Sequence, residues 1–136
     1  MRYIALLLLP ITLLAAGPIK IEMEAWSRGL AQLAVCDTPD QVASIVTAHN
    51  ERGAEAGGRR FSELSKEPGK GGRACGAVVA AFMVTRSLWA GKVGGEPAFI
   101  AEMLLIMPNG KPVEAPVYGA FIGAIAVPKG EAKTSL

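Results

Sequence analysis

The sequence is poor in the residues that most metal proteins and redox proteins use for their chemistry. The 136-residue chain contains one histidine and two cysteines. A structural zinc site takes four nitrogen or sulfur ligands, so this set is too small once the cysteines pair with each other. Those cysteines, Cys36 and Cys75, are also far from the Cys-x-x-Cys spacing of redox-active pairs. We therefore expect neither a metal site nor a cofactor.

Aromatic residues and net charge are scarce as well. Tryptophan, tyrosine and phenylalanine make up 6% of the chain, so alanine, valine and glycine must fill much of the interior. The formal net charge is only +2. A chain whose positive and negative charges nearly cancel has no long-range electrostatic field that would attract nucleic acid. Nucleic acid is therefore not expected among its partners.

The first sixteen residues have the pattern of a secretory signal peptide. Arg2 is a basic start, residues 4–14 are almost wholly apolar, and the small residues Ala15 and Ala16 follow. Signal peptidase recognises this order, and cleavage after Ala16 is predicted. The protein is then exported to the periplasm or beyond the cell. The alternative is that this segment is not cleaved and forms a tilted membrane anchor. Contact with a membrane is expected only in that case. The segment is short for an anchor, because a spanning helix needs about 20 apolar residues.

The two cysteines are expected to form a disulfide in an oxidising compartment. The bond between Cys36 and Cys75 would close a loop of about 40 residues, for which chain entropy predicts a stabilisation of roughly 4 kcal/mol. Two separate buried thiols, or a bond between two chains, are the alternatives.

The clearest local signal predicts a helix over about residues 39–52. The hydroxyl of Thr38 can cap it, Pro39 suits the first helical position, and Gln41 completes a capping box. Gly53 supplies a stop. The apolar side chains that share one face, and that are expected to pack on a sheet, are Val42, Ile45 and Val46.

The remaining segments predict strands and one long loop. Residues 53–72 contain seven glycine and proline residues and are predicted to form a flexible loop, with a short helical piece at about 60–66. Three apolar runs predict strands, at 74–85, 99–107 and 117–127. Upstream, 30–36 is typical of a short buried strand, whereas 19–24 fits a strand or a helix.

Together these elements predict one small α+β domain over residues 17–136. Its antiparallel sheet would have four or five strands, with one main helix packed on it. The alternative is a rolled sheet or small barrel, because several strands are apolar on both sides.

Two short motifs resemble those of a group of small exported bacterial proteins that has no established activity. They are Val-Cys-Asp-Thr-Pro at residues 35–39 and Ala-Cys-Gly at 74–76, followed by a β-rich end. The resemblance implies export and a cysteine pair, and it carries no catalytic residue.

Two sets of side chains are candidates for chemistry. His49 with Asp37 or Asp40 could serve a small hydrolase, although an imidazole at a helix C-terminus and acids at its start are also explained by the helix dipole. Glu102 lies inside an apolar strand, where it either faces solvent or is a buried, functional carboxylate.

A locally basic region is the remaining candidate, here for anion binding. Its residues are Arg59, Arg60, Lys66, Lys70 and Arg73. The possible ligands are a phosphate, a lipid headgroup or an acidic glycan, and the alternative is an ordinary solvated loop.

Taken together, the sequence favours a non-catalytic binding or accessory protein of the cell envelope, with an envelope protein or a small ligand as partner. It leaves the oligomeric state open, and the hydrolase is the alternative function.

Overall fold

Strands outnumber helices in the computed structural model, which describes residues 17–130. In chain order the elements are β1 (Ile19–Glu22), β2 (Ala31–Cys36), α1 (Pro39–Arg52), α2 (Ala54–Ser65), β3 (Cys75–Val93), β4 (Glu96–Ile106), β5 (Val117–Ile122) and β6 (Ala124–Val127). The predicted α+β class is confirmed. The predicted signal segment, residues 1–16, lies outside the described residues.

Four antiparallel strands form the main sheet, which is rolled. β2 pairs with β3, β3 with β4, and β4 with β5. The outer strands β2 and β5 then meet at a single residue pair, Cys36 opposite Tyr118, so the order of pairing closes on itself. The rolled alternative is therefore the form that the sheet takes.

Irregularities in β3 allow this curvature. The register of β3 against β4 shifts between Val84 and Arg86 and again between Ser87 and Trp89. Such bulges bend a strand and increase its twist. They explain how a 19-residue strand can follow a rolled surface.

The core has two parts, one on each face of the sheet. Side chains of β4 alternate between them, since Phe99 and Met103 lie in the inner cluster and Ile100 in the outer cluster. The inner cluster also holds Leu33, Val35, Ala80, Val84, Ala101, Leu105 and Ala124. The outer cluster joins the sheet to the helices through Cys36, Val42, Val46, Leu64, Cys75, Val93 and Ala98.

A small parallel sheet explains why the predicted strand at 117–127 is interrupted. Gly123 separates β5 from β6 and has a φ of +82°, a conformation that glycine adopts without steric cost. β6 then leaves the rolled sheet and pairs with β1, Ile19 opposite Ala124. The ambiguous segment at 19–24 is therefore a strand as far as Glu22.

The helix α1 confirms its prediction, including the capping box. The backbone N–H of Gln41 donates to Thr38 Oγ1 over 3.3 Å, and the Thr38 N–H donates to Gln41 Oε1 over 3.0 Å. The helix covers Pro39–Arg52, as expected from the pattern of caps and apolar residues.

The predicted loop at 53–72 is wrong at 54–59, which are helical, whereas the short helical piece predicted at about 60–66 is confirmed as the second half of a longer helix. Residues 54–65 form α2, which follows α1 directly after Gly53, a residue with a φ of +96°. Its buried residues Ala56, Gly57 and Leu64 face the rest of the protein. Packing on α1 therefore outweighs the low helix propensity of two glycines.

Within residues 17–130, neither helix combines the length and apolarity needed to span a membrane.

Candidate functional site

The disulfide predicted from the sequence is present. Cys36 ends β2 and Cys75 begins β3, so the two lie directly opposite each other in the sheet, and their sulfur atoms are 2.04 Å apart. Both residues are buried. The bond closes the chain segment that contains both helices, and it ties that segment to one end of the rolled sheet.

Asp37 anchors the turn that precedes β3. Its Oδ2 accepts a hydrogen bond from the Lys70 N–H over 2.8 Å, and its own N–H donates to the Ala74 carbonyl over 2.9 Å. A side chain on Gly69 would collide with the same carboxylate, which is why glycine suits that position. The Asp37 carboxylate is thus held in place beside the disulfide.

A cavity of about 420 Å³ opens beside this anchor. Each strand of the rolled sheet contributes an apolar side chain to its lining, so we call the cavity the mouth of the sheet. These side chains are Val35 from β2, Val78 from β3, Leu105 from β4 and Val117 from β5. Met107 and Val113, from the connection between β4 and β5, extend the apolar lining.

Two charged residues and the disulfide complete the mouth. Arg73 and Asp37 line it, as do both cysteines. Among the described residues Arg73 takes part in no ion pair, whereas the Asp37 carboxylate already accepts the Lys70 N–H. The volume lies within the range typical of small-molecule sites, roughly 300–1,000 Å³. Chemically, the mouth can take a molecule with an apolar tail and an anionic head.

The five residues of the predicted anion site have different surroundings. Arg59 and Arg60 lie on α2 and pair with acidic neighbours, at 3.4 Å from Glu55 and 3.0 Å from Glu63. Lys66 and Lys70 are exposed. Arg73 is exposed as well, and it lines the mouth together with Asp37 without forming an ion pair among residues 17–130.

His49 and its two proposed acidic partners are not brought together. Asp40 lies in the first turn of α1 and His49 in the last. Nine residues of helix separate them by about 13 Å along the axis, far beyond hydrogen-bond reach, and Asp37 lies further away still, before the helix begins. The hydrolase arrangement considered from the sequence is therefore absent from this helix.

Glu102 is the centre of a polar cluster on the outer face of the sheet. Its carboxylate accepts hydrogen bonds from Arg86 Nη2 at 2.8 Å, from Thr85 Oγ1 at 2.8 Å and from Tyr118 Oη at 3.3 Å. Arg86 adds a second bond through Nε, at 3.1 Å. These bonds, led by those from Arg86, lower the pKa of Glu102 from its ordinary 4.5 to about 2.

The cluster predicts a specific contribution to acid sensitivity. Because the pKa of Glu102 is lowered on folding, its contribution to stability is present above pH 4.5 and is lost as the pH falls towards 2. In Glu102→Gln, the fall in melting temperature across that interval should be smaller than in the wild type. Glu55→Gln, which breaks an exposed ion pair on α2, should lose as much melting temperature across that pH interval as the wild type does. If melting temperature depends on pH in the same way for the wild type and for Glu102→Gln, this role of Glu102 is contradicted.

The fold and the mouth define a small, disulfide-linked α+β domain with a rolled antiparallel sheet. Comparisons of the chain with protein-family models, with curated proteins and with solved structures found no match.

The apolar lining of the mouth was not identified from the sequence. Leu105, Met107, Val113 and Val117 belong to strands or to the turn between them, and their pattern predicts only burial. The signals close to the site were the pair of motifs around Cys36 and Cys75, which border it, and the predicted basic region, of which Arg73 lines it. The approach of four separate strands at one end of the sheet is not encoded in any local pattern.

Proposed function

We propose that this chain is an exported binding protein of the cell envelope that holds an anionic amphiphile in the mouth of the sheet. The observation that carries the proposal is the lining of the mouth, in which Arg73, a residue with no ion-pair partner in the described part of the chain, borders a largely apolar cavity of about 420 Å³. An apolar tail would lie among Leu105, Met107 and Val117. A carboxylate or phosphate head would pair with Arg73.

The chemistry of the charged groups suits binding. The planar guanidinium of an arginine such as Arg73 can hold a carboxylate or phosphate through two parallel hydrogen bonds. The apolar walls add the larger part of the affinity, since burial of apolar surface contributes about 25 cal/mol per Å². Among the residues that line the mouth, both cysteines are in the disulfide, so neither offers a thiolate nucleophile.

Export is the second part of the proposal, and three features support it. The first sixteen residues have the order of a signal peptide. A disulfide persists in an oxidising compartment and is rare in the cytosol. The motifs around the two cysteines resemble those of small exported bacterial proteins. The cell envelope is where such a domain would meet anionic amphiphiles, among them fatty acids and lipid phosphates.

Calorimetric titration with decanoate tests the binding proposal. Decanoate should bind more tightly than decanol, because only decanoate offers an anion to Arg73, and decyltrimethylammonium should bind most weakly. Arg73→Gln should weaken decanoate binding by about ten- to a hundredfold, the equivalent of one charged hydrogen-bonded contact of roughly 1.5–3 kcal/mol. Arg73→Lys should recover part of that loss.

Two further variants show whether the mouth is the site. Arg59→Gln removes an equal charge from the exposed face of α2 and should leave decanoate binding unchanged. Val113→Trp should abolish it, because the indole would occupy the cavity that Val113 lines. The proposal is wrong if Arg73→Gln and Arg59→Gln bind decanoate equally, or if decyltrimethylammonium binds as well as decanoate.

A further inference from the structure

One edge of β3 loses its neighbours halfway along the strand. β2 pairs with this edge as far as Ala80, and the connection before β2 continues the cover, since the Glu24 N–H donates to the Val84 carbonyl. Beyond Val84, β4 is the only strand among residues 17–130 that pairs with β3. Residues 86–92 are all exposed. They form an open edge of the sheet, which we call the free edge.

The turn after β3 determines which backbone groups of this edge point outwards. Gly94 and Gly95 connect β3 to β4 as a two-residue turn, with φ of +60° and +85°. Val93 and Glu96 face each other on either side of the turn. In hairpins of this kind, the two residues that flank the turn exchange both of their backbone hydrogen bonds. The N–H and C=O of Val93 therefore point towards β4.

Two residues of the free edge have backbone groups that face away from β4. Hydrogen-bonded and non-hydrogen-bonded pairs alternate along an antiparallel ladder, and the register is regular from Trp89 to Val93. Trp89 and Gly91 therefore bond to β4 as Val93 does, whereas the N–H and C=O groups of Ala90 and Lys92 point outwards. Such a row of groups is a template for a further extended strand. The partner that this edge fits is thus another β-strand.

A second copy of the free edge fits this template in one register. When two copies pair antiparallel about a two-fold axis at Gly91, Ala90 of each copy lies opposite Lys92 of the partner subunit. Every outward N–H and C=O of these residues then finds a partner. A register centred on Lys92 would place two like charges opposite each other, which is destabilising. A register centred on Ala90 would set Lys92 against Leu88, where the bulge makes the edge irregular.

The side chains favour the same register. Trp89 is 41% exposed, and its ring lies so close to Gly91 that an added Cβ there would be 2.5 Å from Trp89 Cζ2. In the pairing about Gly91, Trp89 lies opposite Val93 of the partner subunit, so the partner strand covers the exposed indole. A tryptophan covered in this way is a common source of affinity in protein interfaces. We propose that two copies of this chain form a symmetric dimer by pairing their free edges about Gly91.

The dimer is closed, and it leaves the mouth accessible. Each copy uses its free edge once, so the pairing ends at two chains. The mouth is lined by the first residues of β3, such as Cys75 and Val78, whereas the free edge lies towards the other end of the strand. Dimerisation and binding of a ligand at the mouth are therefore independent of each other.

Sedimentation equilibrium and hydrogen exchange test the dimer on the wild-type protein. From micromolar to millimolar concentration, the apparent mass should rise from that of one chain towards that of two. Over the same range, exchange of the Ala90 and Lys92 amide hydrogens should slow, because they become hydrogen-bonded on pairing. The Gly91 amide is the internal control, since its bond to β4 protects it at every concentration.

Three variants locate the interface. Ala90→Pro removes an outward N–H from each copy but none that bonds to β4, a position where a strand tolerates proline. It should raise the dissociation constant of the dimer at least about tenfold. Trp89→Ala should raise it by about tenfold as well. Ile122→Ala is the matched control, because Ile122 is also 41% exposed but lies on β5, and it should leave the dissociation constant unchanged.

A wild type that remains a single chain at millimolar concentration overturns the dimer. Association without slower exchange at Ala90 and Lys92 does so too, because the copies would then meet through another surface. The same holds if Trp89→Ala associates as tightly as Ile122→Ala. If Ala90→Pro does not fold, hydrogen exchange of the wild type and the Trp89→Ala comparison still decide the question. Decanoate should bind monomer and dimer equally well, so the failure of one proposal leaves the other standing.

Discussion

Replacing both cysteines, in the double variant Cys36→Ala with Cys75→Ala, is expected to lower the free energy of unfolding by about 4 kcal/mol. The cysteines are 39 residues apart in sequence. Without the bond, the unfolded chain regains the conformational freedom that a closed loop of this length removes. Alanine is chosen because both positions are buried, where a serine hydroxyl would add an unrelated cost. For a domain of this size the melting temperature should fall by roughly 15 °C.

The reduced wild type provides the control for this result. Addition of a reductant should lower the melting temperature of the wild type to nearly that of the double variant. The same reductant should leave the double variant unchanged, since it has no disulfide to lose. A wild type whose melting temperature is insensitive to complete reduction would show that the bond adds nothing to stability.

The disulfide between Cys36 and Cys75 also supports the shape of the mouth. Cys36 and Cys75 line that cavity, and the turn held by Asp37 lies beside them. Without the disulfide, β2 and β3 are held at this end by noncovalent contacts alone, among them the hydrogen bond from the Asp37 N–H to the Ala74 carbonyl. The stabilisation and the shape of the candidate site therefore depend on one covalent contact.

Truncating the centre of the inner core is expected to have an effect of similar size. Phe99 is 1% exposed and stacks on Phe121, with ring centroids 5.1 Å apart. Phe99→Ala should lower the free energy of unfolding by about 3–5 kcal/mol, the usual cost of removing a buried phenylalanine and leaving a cavity. The chain has only four phenylalanines. The methyl groups of Ala80 and Ala101, which belong to the same cluster, are too small to fill the space that Phe99 would leave.

Denaturant unfolding measures this effect. Leu88→Ala is the matched control, because Leu88 is 37% exposed on β3, and its loss should cost well under the value for Phe99→Ala. The midpoint should fall while the slope with denaturant stays constant, as expected when only native stability changes. Equal losses for the two variants would contradict the position of Phe99 at the centre of the core.

The contrast between α1 and α2 shows what local patterns can predict. α1 has a capping box, a proline at its first position and an apolar face, and these features act within a few residues of one another. Its predicted range therefore agrees with the structure. α2 begins directly after Gly53 and contains Gly57 and Gly58, whose low helix propensity predicts a loop. The packing of Gly57 against His49 stabilises it, and that contact cannot be seen in the sequence of α2.

The break in the last apolar run has a similar cause. Residues 117–127 predict one continuous strand, because their apolar character does not change at Gly123. The N–H of Gly123 donates to the Pro97 carbonyl, and its own carbonyl accepts the Ile19 N–H. These two distant partners divide the run between two sheets. A glycine inside a strand pattern is a signal for such a break, but the sequence does not name the partners.

The sequence alone determined the features that depend on neighbouring residues or on composition: the α+β class, the position of α1, the apolar runs that become strands, and the cysteines available to pair. Tertiary structure decided the rolling of the sheet, the second helix, and the cavity at the mouth of the sheet. The physical reason is distance along the chain. Capping and alternation act over a few residues, whereas the mouth joins side chains from Val35 to Val117, and their meeting depends on how every strand between them pairs and bends.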